Sequence, residues 1–139
     1  MSSDAAMDIA KGVGVSIEPF LDCRDVAASV EFYTKVLDFD LEVAPDLDPQ
    51  QFGSRYAAVS RDGDILLLSS HSRENGAFGA AIYVKVDNVD ALCDQFVGKG
   101  VKLSVSDGGE TPINQTWGMR EIGFRDPDGN KLTFGQTLA

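Results

Sequence analysis

The chain's only tryptophan stands in the segment NQTWGMREIGFRDPDGN, residues 114–130, directly ahead of Gly118, Arg120 and Glu121. An indole offers a face for stacking and for cations, and a carboxylate offers a proton acceptor or a counter-charge. Three more side chains could do chemistry: Glu18 and Tyr56 as acid or base, and Cys23 as a nucleophile. Cys23 has no neighbouring histidine and follows Asp22, whose charge disfavours a thiolate, although Arg24 partly offsets it. It reads as an inert core thiol. The lone histidine, His71, counts against a histidine-based triad or a histidine-rich metal site within one chain. Asp107-Gly108-Gly109 has neither a following lysine nor a strand-to-helix setting, so it is a loop and not a phosphate cradle. Glu121 is expected to pair with Arg120 or Arg125, and no catalytic group is assigned.

These residues need elements to position them. Residues 1–13 are small, polar and without periodicity, and are expected to form a flexible N-terminal arm ahead of one domain, 14–139. A strand is predicted over Val15–Leu21. Asp25 then stands as an N-cap before Val26, Val30, Tyr33 and Leu37 at helical spacing, which predicts a helix over 26–36. A strand over Phe39–Val43 follows, then a turn-rich loop over 44–54, then a hairpin turning at Asp62-Gly63. After a linker over 71–79 the order recurs: strand AAIYVKV, N-cap Asn88, a helix bearing Val89, Leu92 and Phe96, the breaker at Gly98 and Gly100, strand VKLSV, a long loop and a hairpin at Asp128-Gly129-Asn130. The two N-caps lie 63 residues apart and the two turn glycines 66 apart. This agreement predicts an α+β fold of two tandem βαβββ modules, about 15–70 and 79–137. One helix covers one face of each curved sheet, so the other face must enclose a cleft, within a chain or between chains.

Composition narrows the ligand. A net charge of −10 repels nucleic acid and anionic membranes and attracts cations, so neither nucleic acid nor membrane is an expected partner. No basic-then-apolar leader is visible at the N-terminus and no apolar run reaches membrane-span length, which makes a cytoplasmic location the expectation. The only cysteines, Cys23 and Cys93, form no CxxC and are expected to be buried and reduced.

Asp25-Val26, Glu31-Phe32-Tyr33, Leu37-x-Phe39, Trp117-Gly118, Arg120-Glu121, Arg125-Asp126-Pro127 and Gly129-Asn130 form an ordered set. With it the chain resembles the vicinal oxygen chelate (glyoxalase/bleomycin resistance/dioxygenase) superfamily over about residues 15–137, and within it the bleomycin-resistance proteins. That resemblance implies a homodimer whose interface grooves sequester a cationic or aromatic small molecule without altering it. It assigns the groove to Trp117, Gly118 and Glu121, adds Tyr56 as a second aromatic, and makes Pro19 the kink from which the N-terminal arm crosses to a partner. Here the family's Trp-Gly-Arg-Glu segment carries an additional Met119, and Val43 stands where the drug binders place an aromatic.

The same resemblance offers an alternative, a lyase, isomerase or dioxygenase of this fold. Such enzymes hold a divalent metal on inward His and Glu side chains. Counting by the repeat places Glu18, Leu67, Ala81 and Thr133 at those positions, and only Glu18 is a competent ligand. No metal and no cofactor are therefore expected.

Overall fold

A computed structural model describes residues 14–45, 56–70, 79–104 and 111–139 of the protein. The expected arm over 1–13, His71, the Gly108-Gly109 pair and most of the loop over 44–54 lie outside the described residues.

The elements run β1 (Phe20–Asp22), α1 (Val26–Glu31, continued by a π turn over Phe32–Val36), β2 (Asp40–Val43), β3 (Tyr56–Arg61), β4 (Asp64–Ser69), β5 (Ala81–Lys85), α2 (Val89–Gly98), β6 (Ile113–Asn114), β7 (Met119–Arg125) and β8 (Lys131–Thr137). They build two four-stranded mixed sheets, ordered β1-β4-β3-β2 and β5-β8-β7-β6. In each, the first strand pairs in parallel with the last and the other pairings are antiparallel. Both caps form as expected: the Asp25 carboxylate accepts from the Ala28 N–H and the Asn88 amide oxygen from the Ala91 N–H, each at 3.1 Å. The first hairpin turns through positive φ at Asp62 (51°) and Gly63 (88°), the tight two-residue geometry that Asp-Gly favours.

The repeat holds at the level of individual pairs. Phe20 lies opposite Leu67 in the first sheet, and Tyr83 lies opposite Thr133 in the second. These are the same offsets of 63 and 66 residues that relate the caps and the turn glycines.

Two expectations are corrected. The first strand is shorter than Val15–Leu21, because residues 14–19 run irregularly and only the Pro19 carbonyl is tied to the sheet, accepting from the Leu67 N–H at 2.9 Å. VKLSV is not a strand over residues 101–104, where one bond, Ser104 N–H to the Gly123 carbonyl at 2.7 Å, is all that joins it to β7. The sheet edge is taken instead by Ile113–Asn114. Local alternation favoured VKLSV, but a ladder forms only where a neighbouring strand presents matching groups.

The helices pack on one face of the sheets over a shared core. Tyr33, Leu37, Leu21, Val59 and Leu68 from the first half join Val89, Phe96, Ile122, Phe124 and Leu132 from the second. Phe96 meets Phe124 and Phe134 edge-on, at centroid distances of 5.6 and 5.2 Å. The halves are also joined by a polar lock. The buried Asp126 carboxylate accepts from the Tyr33 hydroxyl (2.7 Å), the Asn130 side-chain amide (2.8 Å) and the backbone N–H groups of Asp128 and Asn130 (both 2.9 Å). Asn130 donates onward to the Asp22 carbonyl at 2.7 Å, and Asp128 accepts from the Ser29 hydroxyl and the Arg24 N–H, both at 2.9 Å. The Asp-Pro-Asp-Gly-Asn turn therefore does more than reverse the chain. It fastens the second module to the first helix.

Candidate functional site

The face of the second sheet away from α2 is read from strand alternation. On β7 the core takes Ile122 and Phe124, so Met119, Glu121 and Gly123 point the other way. Their partners on β8 are Thr137, Gly135 and Thr133, and on β5 Lys85 lies beside Gly135 and Tyr83 beside Thr133. Glu121 and Tyr83, 38 residues apart in sequence, thus share one face.

Glu121 is 6% exposed. The Tyr83 hydroxyl donates to its Oε2 at 2.5 Å and the Trp117 indole N–H donates to the same oxygen at 3.1 Å. Both aromatic rings remain open to solvent, Trp117 at 64% and Tyr83 at 46%. Burial around its hydroxyl, and next the bond to the Glu121 carboxylate, push the Tyr83 phenol up to about 12. Tyr83 reaches across β8 because position 135 is glycine: a Cβ there would overlap the phenol oxygen. Trp117 is placed by the turn before β7, where Gly118 has φ +84°, a backbone conformation that side-chain-bearing residues rarely adopt. The Gly118 N–H donates to the Gln115 carbonyl at 3.3 Å and its own carbonyl accepts from the Leu138 N–H at 2.9 Å, so both sides of the turn are held.

Of the residues singled out in the sequence, Trp117, Gly118 and Glu121 come together. Tyr56 opens β3 on the other sheet, half-buried opposite Ser69, and among the described residues no hydrogen bond or ring contact joins it to Trp117. The expected pairing of Glu121 with arginine does not occur. Arg120 projects to the opposite face, where Asp90 of α2 accepts its guanidinium at 2.8 Å, and Arg125 donates to the Gly129 carbonyl at 2.8 Å. Adjacent residues on a strand face opposite ways, so Arg120 could not serve its neighbour. The Arg120 guanidinium holds the Asp90 carboxyl below its usual range.

Cys23 is buried, and burial pushes its thiol up to about 12, which removes it as a nucleophile at neutral pH. Cys93 is also buried and free, its thiol likewise raised.

Sequence reasoning missed Tyr83 and Gly135. The signal was present, since the repeat makes Tyr83 the counterpart of Phe20 and the neighbour of Thr133, but its contact with Glu121 depends on the register of three strands. A cleft of about 620 Å³ adjoins the cluster, walled by Ile17, Pro19, Ile65, Lys85 and Tyr83 among others, without Trp117 or Glu121. The cluster has the more specific chemistry, three polar atoms converging under two open rings, and it is taken as the site.

The pairings support the count that located the superfamily's metal positions. Those positions do not suit a divalent ion: Glu18 lies exposed in the irregular segment before β1, Leu67 and Ala81 have no donor atom, and Thr133 offers a neutral hydroxyl. No chemistry is routed through such a metal.

The model of the Glyoxalase/Bleomycin resistance protein/Dioxygenase superfamily matches residues 18–134. A solved member of that superfamily from Sphaerobacter thermophilus is 23% identical with a TM-score of 0.71, over 89% of this chain and 98% of its own. TnmS3, an antibiotic binding protein from a Streptomyces species, is 24% identical with a TM-score of 0.70, over 91% and 98%. Lactoylglutathione lyase from Agrobacterium tumefaciens is 17% identical with a TM-score of 0.68, over 89% and 94%. No curated protein sequence matches this chain significantly. The structural likenesses show the fold and divide between a binder and an enzyme. With a family match spanning both modules and the strand order that the repeat requires, this chain belongs to the glyoxalase/bleomycin resistance protein/dioxygenase superfamily.

Proposed function

We propose that the protein is a metal-free small-molecule binder of the bleomycin-resistance type, which sequesters a cationic or aromatic compound in grooves at a homodimer interface. The observation that supports this reading most directly is Trp117, an indole left 64% exposed while its N–H is anchored to a buried carboxylate. A ring held in place and open on its face is prepared for stacking, because the cost of ordering it is met before a ligand arrives. The net charge of −10 favours approach of a cation. The exposed apolar residues Val15 and Ile17, at 86% and 89%, are suited to crossing onto a partner from Pro19, and the expected cytoplasmic location accords with two free cysteines.

The test is a fluorescence titration of Trp117 with bleomycin and a panel of planar cationic compounds, including the dye proflavine. Saturable quenching at one site per chain is expected, and a flat response across the panel would remove the reading. Sedimentation equilibrium at micromolar concentration should give a dimer; only monomer would overturn the shared-interface part.

A lyase, isomerase or dioxygenase of the same fold remains a second reading, supported by the short Tyr83–Glu121 bond, which places an acid beside a potential base. Turnover of a panel compound that is lost in both Tyr83→Phe and Glu121→Gln would favour it.

A further inference from the structure

Glu121 presents an electrostatic problem that its neighbours do not solve. A carboxylate removed from water is ordinarily paired with a cation, or bound on both oxygens by hydrogen-bond donors. Here both side-chain donors, Tyr83 and Trp117, fall on Oε2, and among the described residues no side chain or backbone N–H donates to Oε1. Nor does a cation of the protein compensate the charge. Arg120 is committed to Asp90 on the other face and Arg125 to the Gly129 carbonyl. Lys85 stands in the same row of the sheet, but β8 lies between them, which puts the two strands about 10 Å apart. The carboxylate lies on the face turned away from α2, and the two rings bonded to it are the open ones.

We infer that Glu121, Tyr83 and Trp117 form a receptor for a protonated amine or amidine carried on a planar apolar ligand. The inference rests on the binder reading above and names the ligand chemistry of that site. Glu121 supplies the missing counter-charge through Oε1, in a charge-assisted hydrogen bond. Trp117 and Tyr83 supply ring faces to the cation and to the planar body that bears it. Gly135 is a positioning residue, since a larger side chain there would drive the phenol away from Glu121.

The experiment is isothermal titration calorimetry at neutral pH with proflavine, which is planar and cationic, and acridine, its uncharged counterpart. The wild-type protein should bind proflavine at least about tenfold more tightly than acridine, the scale of one charge-assisted contact. Glu121→Gln, which keeps the shape and removes the charge, should reduce that ratio to about twofold or less. Tyr83→Ala should weaken both compounds severalfold by removing one wall. Equal affinity in the wild type, or a preference that survives Glu121→Gln, overturns the receptor. If panel members quench Trp117 but show no preference for charge, this inference alone fails; if nothing in the panel binds, it fails together with the binder reading.

Discussion

Asp126 and Glu121 are both acidic residues of the segment that attracts attention in the sequence, they stand five positions apart, and each is 6% exposed. Their surroundings are opposite. Asp126 receives two donors on each oxygen, from its own turn and from the first module's helix, so its charge is fully used within the fold. Glu121 receives two side-chain donors on one oxygen, from rings that are themselves open to solvent. Burial alone would have given these carboxylates the same role. The distribution of donors separates a structural acid from one available to a ligand.

The same chemical change at the two positions should therefore have unequal results. Asp126→Asn should cost about 2 to 4 kcal/mol of stability in urea denaturation. Either orientation of the amide sets its NH₂ against two donors that need an acceptor. Glu121→Gln should cost less than about 1 kcal/mol, because the carbonyl oxygen can keep Tyr83 and Trp117 while the NH₂ takes the other side. Equal losses would break the contrast.

A smaller effect tests the geometry of Tyr83. Its phenol is raised in the folded state from 10.0 to about 12. A raised pKa contributes stability below the unfolded value, and that contribution is lost as pH climbs through the folded one, here between about 10 and 12. Ultraviolet titration should show one tyrosine ionising near the top of this window. Gly135→Ala should bring that ionisation back towards 10, since the phenol would leave Glu121; an unchanged titration would show that Gly135 does not set its position. The smallest effect is expected at Glu18, exposed and outside any strand. Glu18→Ala should change stability by no more than about 0.5 kcal/mol and leave compound binding intact. A marked loss of either would reopen the metal reading.

Much of the architecture was legible because its determinants are local. Asp25 and Asn88 cap helices through atoms within three residues, Asp62-Gly63 turns a hairpin by its own backbone preferences, and recurrence of these signals revealed the repeat. Trp117, Gly118 and Glu121 were identified from one contiguous segment. The errors occurred where the outcome depended on a distant partner. VKLSV has the alternation of a strand, yet the edge of the second sheet is occupied by Ile113–Asn114. Arg120 and Glu121 look like an ion pair in sequence, yet the pleat sends one towards α2 and the other to the opposite face.

By itself, then, the sequence determined the module, its duplication, the acidic surface and the poverty of donor atoms at the superfamily's metal positions. These depend on residue identity and short spacings, which folding does not alter. Only the tertiary structure decided that Tyr83, on a strand 38 residues before Glu121, would cross Gly135 to meet it, and that Arg120 would be spent elsewhere. Those contacts follow from strand register and face, and one residue of slip would turn each side chain to the other side.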